Sequence, residues 1–228
     1  GVIVACDVRT LEELHKLVEV TCSVNVIVGY KLGFILGLNY GLKNAVDAIR
    51  DISDLPIIYD HQKAGTDIPQ MGAEFAAAMK RADVDSAIIF PQAGPKTEEA
   101  FITALMQEDV IPMVHGEMTS QFLQKDGGFV SDDSPGKIYE IAARLGVEYF
   151  IAPGNKPDST KRYVNIISNF VKPKFCMPGV GRQGGGIAAA FAACGENPAY
   201  AIIGTAIYGA PDAATAAKKF CEEAMKFE

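Results

Sequence analysis

The segment "LPIIYDHQKAGTDIPQMG" (55–72) sets Asp60, His61, Lys63 and Asp67 at the end of an apolar run. Two carboxylates flanking a lysine form an alternating charge network in which the ammonium keeps its proton and each acid stays ionised. Such an ammonium suits proton donation or carbanion stabilisation. It is a poor Schiff-base nucleophile, because that chemistry wants the neutral amine. A second stretch, "MPGVGRQGGG" (177–186), carries an apolar run into five glycines, where backbone can approach a ligand and amide hydrogens can take an anion. A third, "IIGTAIYG" (202–209), is another apolar run that reaches glycine.

These residues need elements to position them, and the chain alternates from end to end. The strand candidates are 2–7, 25–33, 55–62, 86–92, 110–118, 148–153, 174–180 and 199–208. Most are continuously apolar, which is how strands covered on both faces read. Helical spacing fills the intervals. Thr10 with Glu13 is a capping-box start for 10–20, Pro69 stands near the start of 68–82, Gly146 stops 135–146, and Asp212 opens 212–227. Eight strands alternating with helices over 228 residues predict a single (β/α)8 TIM barrel spanning 1–228. An open doubly wound sheet is the runner-up, but "CDVRTLEE" after the first strand lacks the glycines of a dinucleotide-binding turn. The long irregular piece 119–136 has the size of a substrate loop or lid.

Composition limits the partners. With 21 Lys and Arg against 28 Asp and Glu, the net charge of −7 argues against a general nucleic-acid or membrane-surface binder. A small anionic ligand held by local groups is compatible with it. The five cysteines form no CxxC pair, and no apolar run approaches a membrane span, so the expectation is a reducing cytoplasm. A start at Gly1 directly in a strand suggests a trimmed terminus and not a targeting peptide.

In a (β/α)8 barrel the site lies at the carboxyl ends of the strands. The polar residues there are Asp7, Lys31, Asp60, His61, Lys63, Asp67, Gln92, His115, Glu117, Thr119, Lys156, Arg182, Gln183 and Thr205. Taken singly, most are explained as solvated loop residues; the cluster at 60–67 is not. Phosphate sites in such barrels are built by the loops after strands seven and eight. That assigns phosphate binding to Pro178, Gly179, Val180, Gly181, Arg182, Gln183, Gly184, Gly204 and Thr205, and predicts a small phosphorylated substrate. His61, His115 and Glu117 match no standard metal-ligand spacing, so no metal is expected. No Ser or Cys sits on a glycine-flanked elbow. His115 and Glu117 share strand parity, and either orients the site or is a satisfied core group. His15 reads as solvated, and Cys6 and Cys176 as small core residues.

"DHQKAGTDIP" resembles the Asp-x-Lys-x-x-Asp-Ile-Pro signature of the orotidine 5′-phosphate decarboxylase family, and "PGVGRQGG" resembles its phosphate loop. "ACD", "YKLGF", "EMT" and "IIGTAIYGAPDAATAA" fall, in order, where that family has its ribose, base and closing segments. The resemblance implies a cofactor-free homodimeric barrel that decarboxylates orotidine monophosphate to UMP. It also implies roles. Asp7 and Lys31 hold ribose hydroxyls, with Lys31 joining the charge network. Asp60 faces the substrate carboxylate, and Lys63 stabilises and protonates the carbanion. Asp67 reaches the neighbouring subunit's site, Thr119 touches the pyrimidine, and Gln183 with nearby amides holds the phosphate.

Two departures stand out. The family spaces its first acid and lysine two apart, on one face of a strand, whereas Asp60 and Lys63 are three apart and Lys63 and Asp67 four. Either a bulge or an early strand end restores the geometry, or His61 and Lys63 share the face and Asp60 points elsewhere. Thr205 stands where the family has a phosphate-gripping arginine, and Arg182 is the expected replacement. The alternatives are a magnesium-dependent sugar-phosphate relative, such as a hexulose-6-phosphate synthase or 3-keto-gulonate-6-phosphate decarboxylase, and a catalytically impaired phosphate-binding barrel.

Overall fold

In the computed structural model, residues 1–61, 64–181 and 186–227 are described. Eight parallel strands close into a barrel in the order β1 to β8, with β8 paired back to β1. The strands are β1 (Val2–Cys6), β2 (Ile27–Leu32), β3 (Ile57–Asp60), β4 (Ser86–Ile89), β5 (Ile111–His115), β6 (Tyr149–Ile151), β7 (Lys174–Met177) and β8 (Ala199–Ile203). Around them run α1 (Leu11–Thr21), α2 (Phe34–Tyr40), α3 (Leu42–Arg50), α4 (Met71–Ala82), α5 (Pro95–Gln107), α6 (Ser134–Arg144), α7 (Pro157–Ile167), α8 (Ile187–Ala193), α9 (Thr205–Tyr208) and α10 (Ala213–Ala224). The expected (β/α)8 TIM barrel is what the chain forms.

The strands read as continuously apolar because both of their faces are covered. One parity, Ile3, Ala5, Ile58, Ile88, Met113, Ile151, Cys176 and Ile202, fills the barrel interior. The other, including Val2, Val4, Cys6, Tyr30, Leu32, Ile57, Tyr59 and Phe150, packs under the helices. Helix α1 shows the matching logic on the outside. Thr10 and Glu13 form the capping box, and Leu14, Leu17, Val18 and Thr21 are buried at helical spacing. His15 is exposed and Cys6 and Cys176 are buried, as expected.

Several boundaries differ from the sequence reading. The eighth strand stops at Ile203, and Thr205–Tyr208 turns into a short helix instead of extending the strand to 208. Helix α4 begins at Met71, so Pro69 belongs to the turn before it. The segment 119–136 contains a 3-10 turn at Gln124–Asp126 and a bridge between Leu123 and Val130, with Leu123 fully buried. Among the described residues no helix is long and apolar enough to cross a membrane.

Candidate active site

A period of two carries the interior face of each strand upward to one more layer. Above Ala5 stands Asp7, and Lys31 pairs in register with Ala5 and Ile58. Asp60 follows Ile58, Phe90 follows Ile88 and His115 follows Met113, while Pro178 follows Cys176 and Gly204 follows Ile202. Alternation thus sets Asp7, Asp60 and His115 one two-residue step above the apolar barrel interior.

Asp60 is the last residue of β3. Its Oδ2 accepts a hydrogen bond from Lys31 Nζ at 2.8 Å, and Asp7 Oδ1 lies 3.5 Å from the same ammonium. Asp60 therefore points into the site, and the strand ends early. His61 turns aside, packing against Tyr59 and Phe75, with Nδ1 3.0 Å from the Tyr59 hydroxyl. Lys63 lies outside the described residues.

Past that gap the loop is tied to the end of β4. Phe90 N donates to Ala64 O at 2.8 Å and Ala93 N to Gly65 O at 3.3 Å. Gly65 has φ +89, and a Cβ there would come within 2.7 Å of Pro91 Cα, so glycine is required. Asp67 is exposed and accepts from Ile68 N through its own Oδ1 at 2.7 Å, while its carbonyl accepts from Thr97 Oγ1 at 2.9 Å. Among the described residues it makes no contact with the Lys31 network.

Lys31 is buried, and burial works against its charge. Asp60 first and Asp7 with it outweigh that cost, so the ammonium holds its proton more firmly than an ordinary lysine. One atom of the arrangement is left over: Asp60 Oδ1 is buried and has no hydrogen-bond partner among the described residues. A cavity of about 300 Å³ opens over this network, lined by Ala5, Asp7, Lys31, Asp60, His115, Met118, Thr119, Pro178, Gly179, Val180 and Gly204 to Ala206 among others. A second, more apolar cavity of about 860 Å³ shares Asp7, Lys31, Asp60 and Met118 with it and continues past Phe34, Leu38, Phe90 and Phe122. The two together suit a ligand with a polar or anionic end and a flat ring.

Most of the sequence-predicted site residues meet here: Asp7, Lys31, Asp60, Thr119, Pro178, Gly179, Val180, Gly204 and Thr205 line one cavity. Gly181 adjoins it in the chain with φ +84. Arg182, Gln183 and Gly184 lie outside the described residues, as Lys63 does. Thr205 opens α9, and its hydroxyl pairs with the Tyr208 hydroxyl at 2.9 Å. Among the described residues no group of three or more His, Cys, Asp or Glu could hold a metal ion.

A family model described as "Orotidine 5'-phosphate decarboxylase / HUMPS family" matches residues 1–220. The orotidine 5'-phosphate decarboxylase of Methanocaldococcus jannaschii is 30% identical over 226 residues, covering 96% of this chain and 95% of that one. That of Thermococcus kodakarensis is 28% identical over 98% of this chain and 96% of its own. The chain belongs to the orotidine 5′-phosphate decarboxylase / HUMPS family. Among solved structures, the M. jannaschii enzyme complexed with the inhibitor BMP is similar at a TM-score of 0.83, with 25% identity and 97% of each chain covered.

Within this family barrel lies a second charge cluster, built on Glu117 and Lys156, both among the strand-end candidates, with Asn155 and Tyr163 added. Glu117 follows His115 by two and was expected either to orient the site or to be a satisfied core group; β5 ends at His115, and Glu117 is the satisfied core group. The Glu117 side chain is fully buried away from the cavity lining. Its Oε1 accepts from Lys156 Nζ at 3.0 Å, and its Oε2 accepts from the Tyr163 hydroxyl. Lys156 Nζ also donates to Met118 O at 2.9 Å and Ser120 O at 3.1 Å, and Asn155 Nδ2 donates to Thr119 O at 3.0 Å. The loop after β6 thereby grips three successive carbonyls of the loop after β5, including those of Met118 and Thr119 at the cavity wall. Tyr163 sits at an apolar helical position of α7, so no local signal marked it.

Proposed function

We propose that this protein decarboxylates orotidine 5′-monophosphate to UMP without a metal or cofactor, as the last step of de novo pyrimidine biosynthesis in the cytoplasm. The observation that carries the reading is the Asp7–Lys31–Asp60 network on the cavity floor. The family match over nearly the whole chain supports it.

In this reading the nucleotide phosphate lies against the loops after β7 and β8, with Gly179, Val180, Gly181, Gly184 and Gly204 giving close backbone approach, and Arg182, Gln183 and Thr205 adding polar groups. Asp7 and Lys31 hold the ribose hydroxyls, and Thr119 borders the pyrimidine. The substrate carboxylate comes to rest beside Asp60. When the bond between that carboxylate and the ring carbon breaks, CO2 leaves and the electron pair stays on the ring as a carbanion. The Lys63 ammonium stabilises that charge where it develops and then supplies the proton. Asp60 beside Lys31 disfavours the substrate carboxylate more than the transition state, in which charge has moved to the ring.

The reading includes a homodimer in which Asp67 serves the neighbouring copy's site. Its support is placement: Asp67 is exposed and unconnected to its own Lys31 network among the described residues, and Ile68 beside it is 58% exposed. The test is the absorbance change of orotidine monophosphate with purified protein, with and without EDTA, for the wild type and Lys63→Ala. Turnover indifferent to EDTA and reduced at least about a thousandfold by the substitution is expected. EDTA-sensitive turnover of a sugar phosphate would replace this reading with that of a metal-dependent relative.

A further inference from the structure

Beyond His115 the chain leaves β5, and the stretch from Glu117 to Ser120 that follows has neither strand nor helix to fix it. Side chains fix it instead. Four successive carbonyls each accept from one: Glu117 O from His115 Nε2 at 2.9 Å, Met118 O and Ser120 O from Lys156 Nζ at 2.9 and 3.1 Å, and Thr119 O from Asn155 Nδ2 at 3.0 Å. Met118 and Thr119 line the cavity that holds Lys31 and Asp60, and Met118 and Ser120 line the more apolar cavity beside it. The bonded stretch is therefore a wall common to both.

Lys156 stands at a strand end, where a cation invites reading as a ligand for an anionic substrate. Its bonds assign it differently. An ammonium has three hydrogens; two go to the Met118 and Ser120 carbonyls, and Glu117 Oε1 at 3.0 Å takes the third. Glu117 is closed off in turn: it is fully buried, its other oxygen accepts from the Tyr163 hydroxyl, and its amide donates to the Tyr139 hydroxyl at 3.3 Å. Asn155 carries a related mark. Its Oδ1 is buried and has no hydrogen-bond partner among the described residues. Turning the amide over would set that oxygen against the Thr119 carbonyl, so the side chain keeps its donor on the wall and leaves its acceptor unsatisfied.

We propose that Asn155 and Lys156 are positioning residues: through the carbonyls of Met118, Thr119 and Ser120 they hold the wall against which the nucleotide's base lies. This rests on the decarboxylase reading, in which Thr119 borders the pyrimidine. Both residues belong to the loop before α7 and act on one edge of the cavity, whereas the phosphate lies against the loops after β7 and β8. Loosening the wall therefore releases the base and leaves the phosphate end in place. A base free to shift carries its reacting carbon out of alignment with the charged groups of the floor.

The test uses Asn155→Asp, which keeps the shape and replaces the donor with an acceptor, and Lys156→Met, with Lys156→Arg as the conservative control. Affinities for UMP and for ribose 5-phosphate, which has no base, are measured by calorimetry, and kcat/KM for orotidine monophosphate by absorbance. In Asn155→Asp and Lys156→Met, UMP affinity and kcat/KM should each fall about tenfold, while ribose 5-phosphate affinity stays within about twofold of wild type. Lys156→Arg, which retains the cation and its donors, should return the ratio of the two affinities to within about threefold of wild type. Should Lys156→Met not fold, Asn155→Asp decides alone. Affinities for the two ligands that fall together would make these residues merely structural and overturn the proposal, as would unchanged UMP affinity in Asn155→Asp. A wild type that binds UMP no more tightly than ribose 5-phosphate would overturn it too. Should the wild type bind UMP but not turn over orotidine monophosphate, the reaction reading fails by itself, and the ratio of the two affinities still tests the wall.

Discussion

Half-buried Asp60 and fully buried Glu117 are acids at the same end of the barrel, each paired with a lysine, yet they end up as different kinds of group. Glu117 spends both oxygens inside the protein, on Lys156 and on Tyr163. Asp60 spends one, on Lys31, and keeps Oδ1 unpartnered. The difference follows from where each stands. Asp60 is the last residue of its strand and keeps interior parity, so it looks into the cavity. Glu117 comes after its strand has ended and is turned against α7. A carboxylate satisfied on all sides is an anchor for backbone, whereas one with an atom to spare is available to a ligand.

Three substitutions break or sharpen that contrast. Asp60→Asn removes the spare charge while preserving shape. Turnover of orotidine monophosphate should fall about a hundredfold with UMP affinity and thermal stability little changed. An equal loss of UMP binding would make Asp60 an anchor as well. Lys156→Met attacks the satisfied acid instead. It leaves Glu117 buried without its cation and frees the Met118 and Ser120 carbonyls, so the denaturant midpoint should report a loss of about 3 kcal/mol. Lys156→Arg should recover most of that stability.

The smallest effect concerns a third acid that has neither arrangement. Glu98, in the first turn of α5, is buried with Oε1 unpartnered among the described residues. Burial, with Glu99 adding to it, raises its carboxyl from 4.5 to about 9. Between those values the folded chain retains a proton that the unfolded chain has lost, so stability declines as pH rises through the window. Glu98→Gln should leave stability near pH 4 unchanged and raise it by about 1–2 kcal/mol near pH 8. Melting curves across that range would show whether the gain grows with pH; a constant gain would assign it to packing.

The fold was legible because strands covered on both faces must be apolar throughout, and most of the eight announced themselves that way. The site was half legible. Asp7, Lys31, Asp60 and Thr119 were found because strand ends are where such barrels place chemistry. Strand parity left Glu117 open between a site residue and a satisfied core group, because alternation holds only while the strand continues, and β5 stops at His115. The eighth strand was overextended for a related reason: "TAIY" is apolar enough to prolong a strand, but the chain turns at Gly204, ψ −97, into α9. Glu117's partners lie 39 and 46 residues away along the chain, a separation that no local pattern encodes.

Closure of the barrel also bears on how the chain is made. The last seam joins β1, residues 2–6, to β8, residues 199–203, so the first strand of the barrel waits for the eighth before its outer edge is covered. Until then two apolar strands expose unpaired backbone, the feature by which chains template one another into aggregates. Once the seam forms, the barrel has no open edge. The hazard is confined to the interval before completion, and contacts between finished molecules are left to side chains.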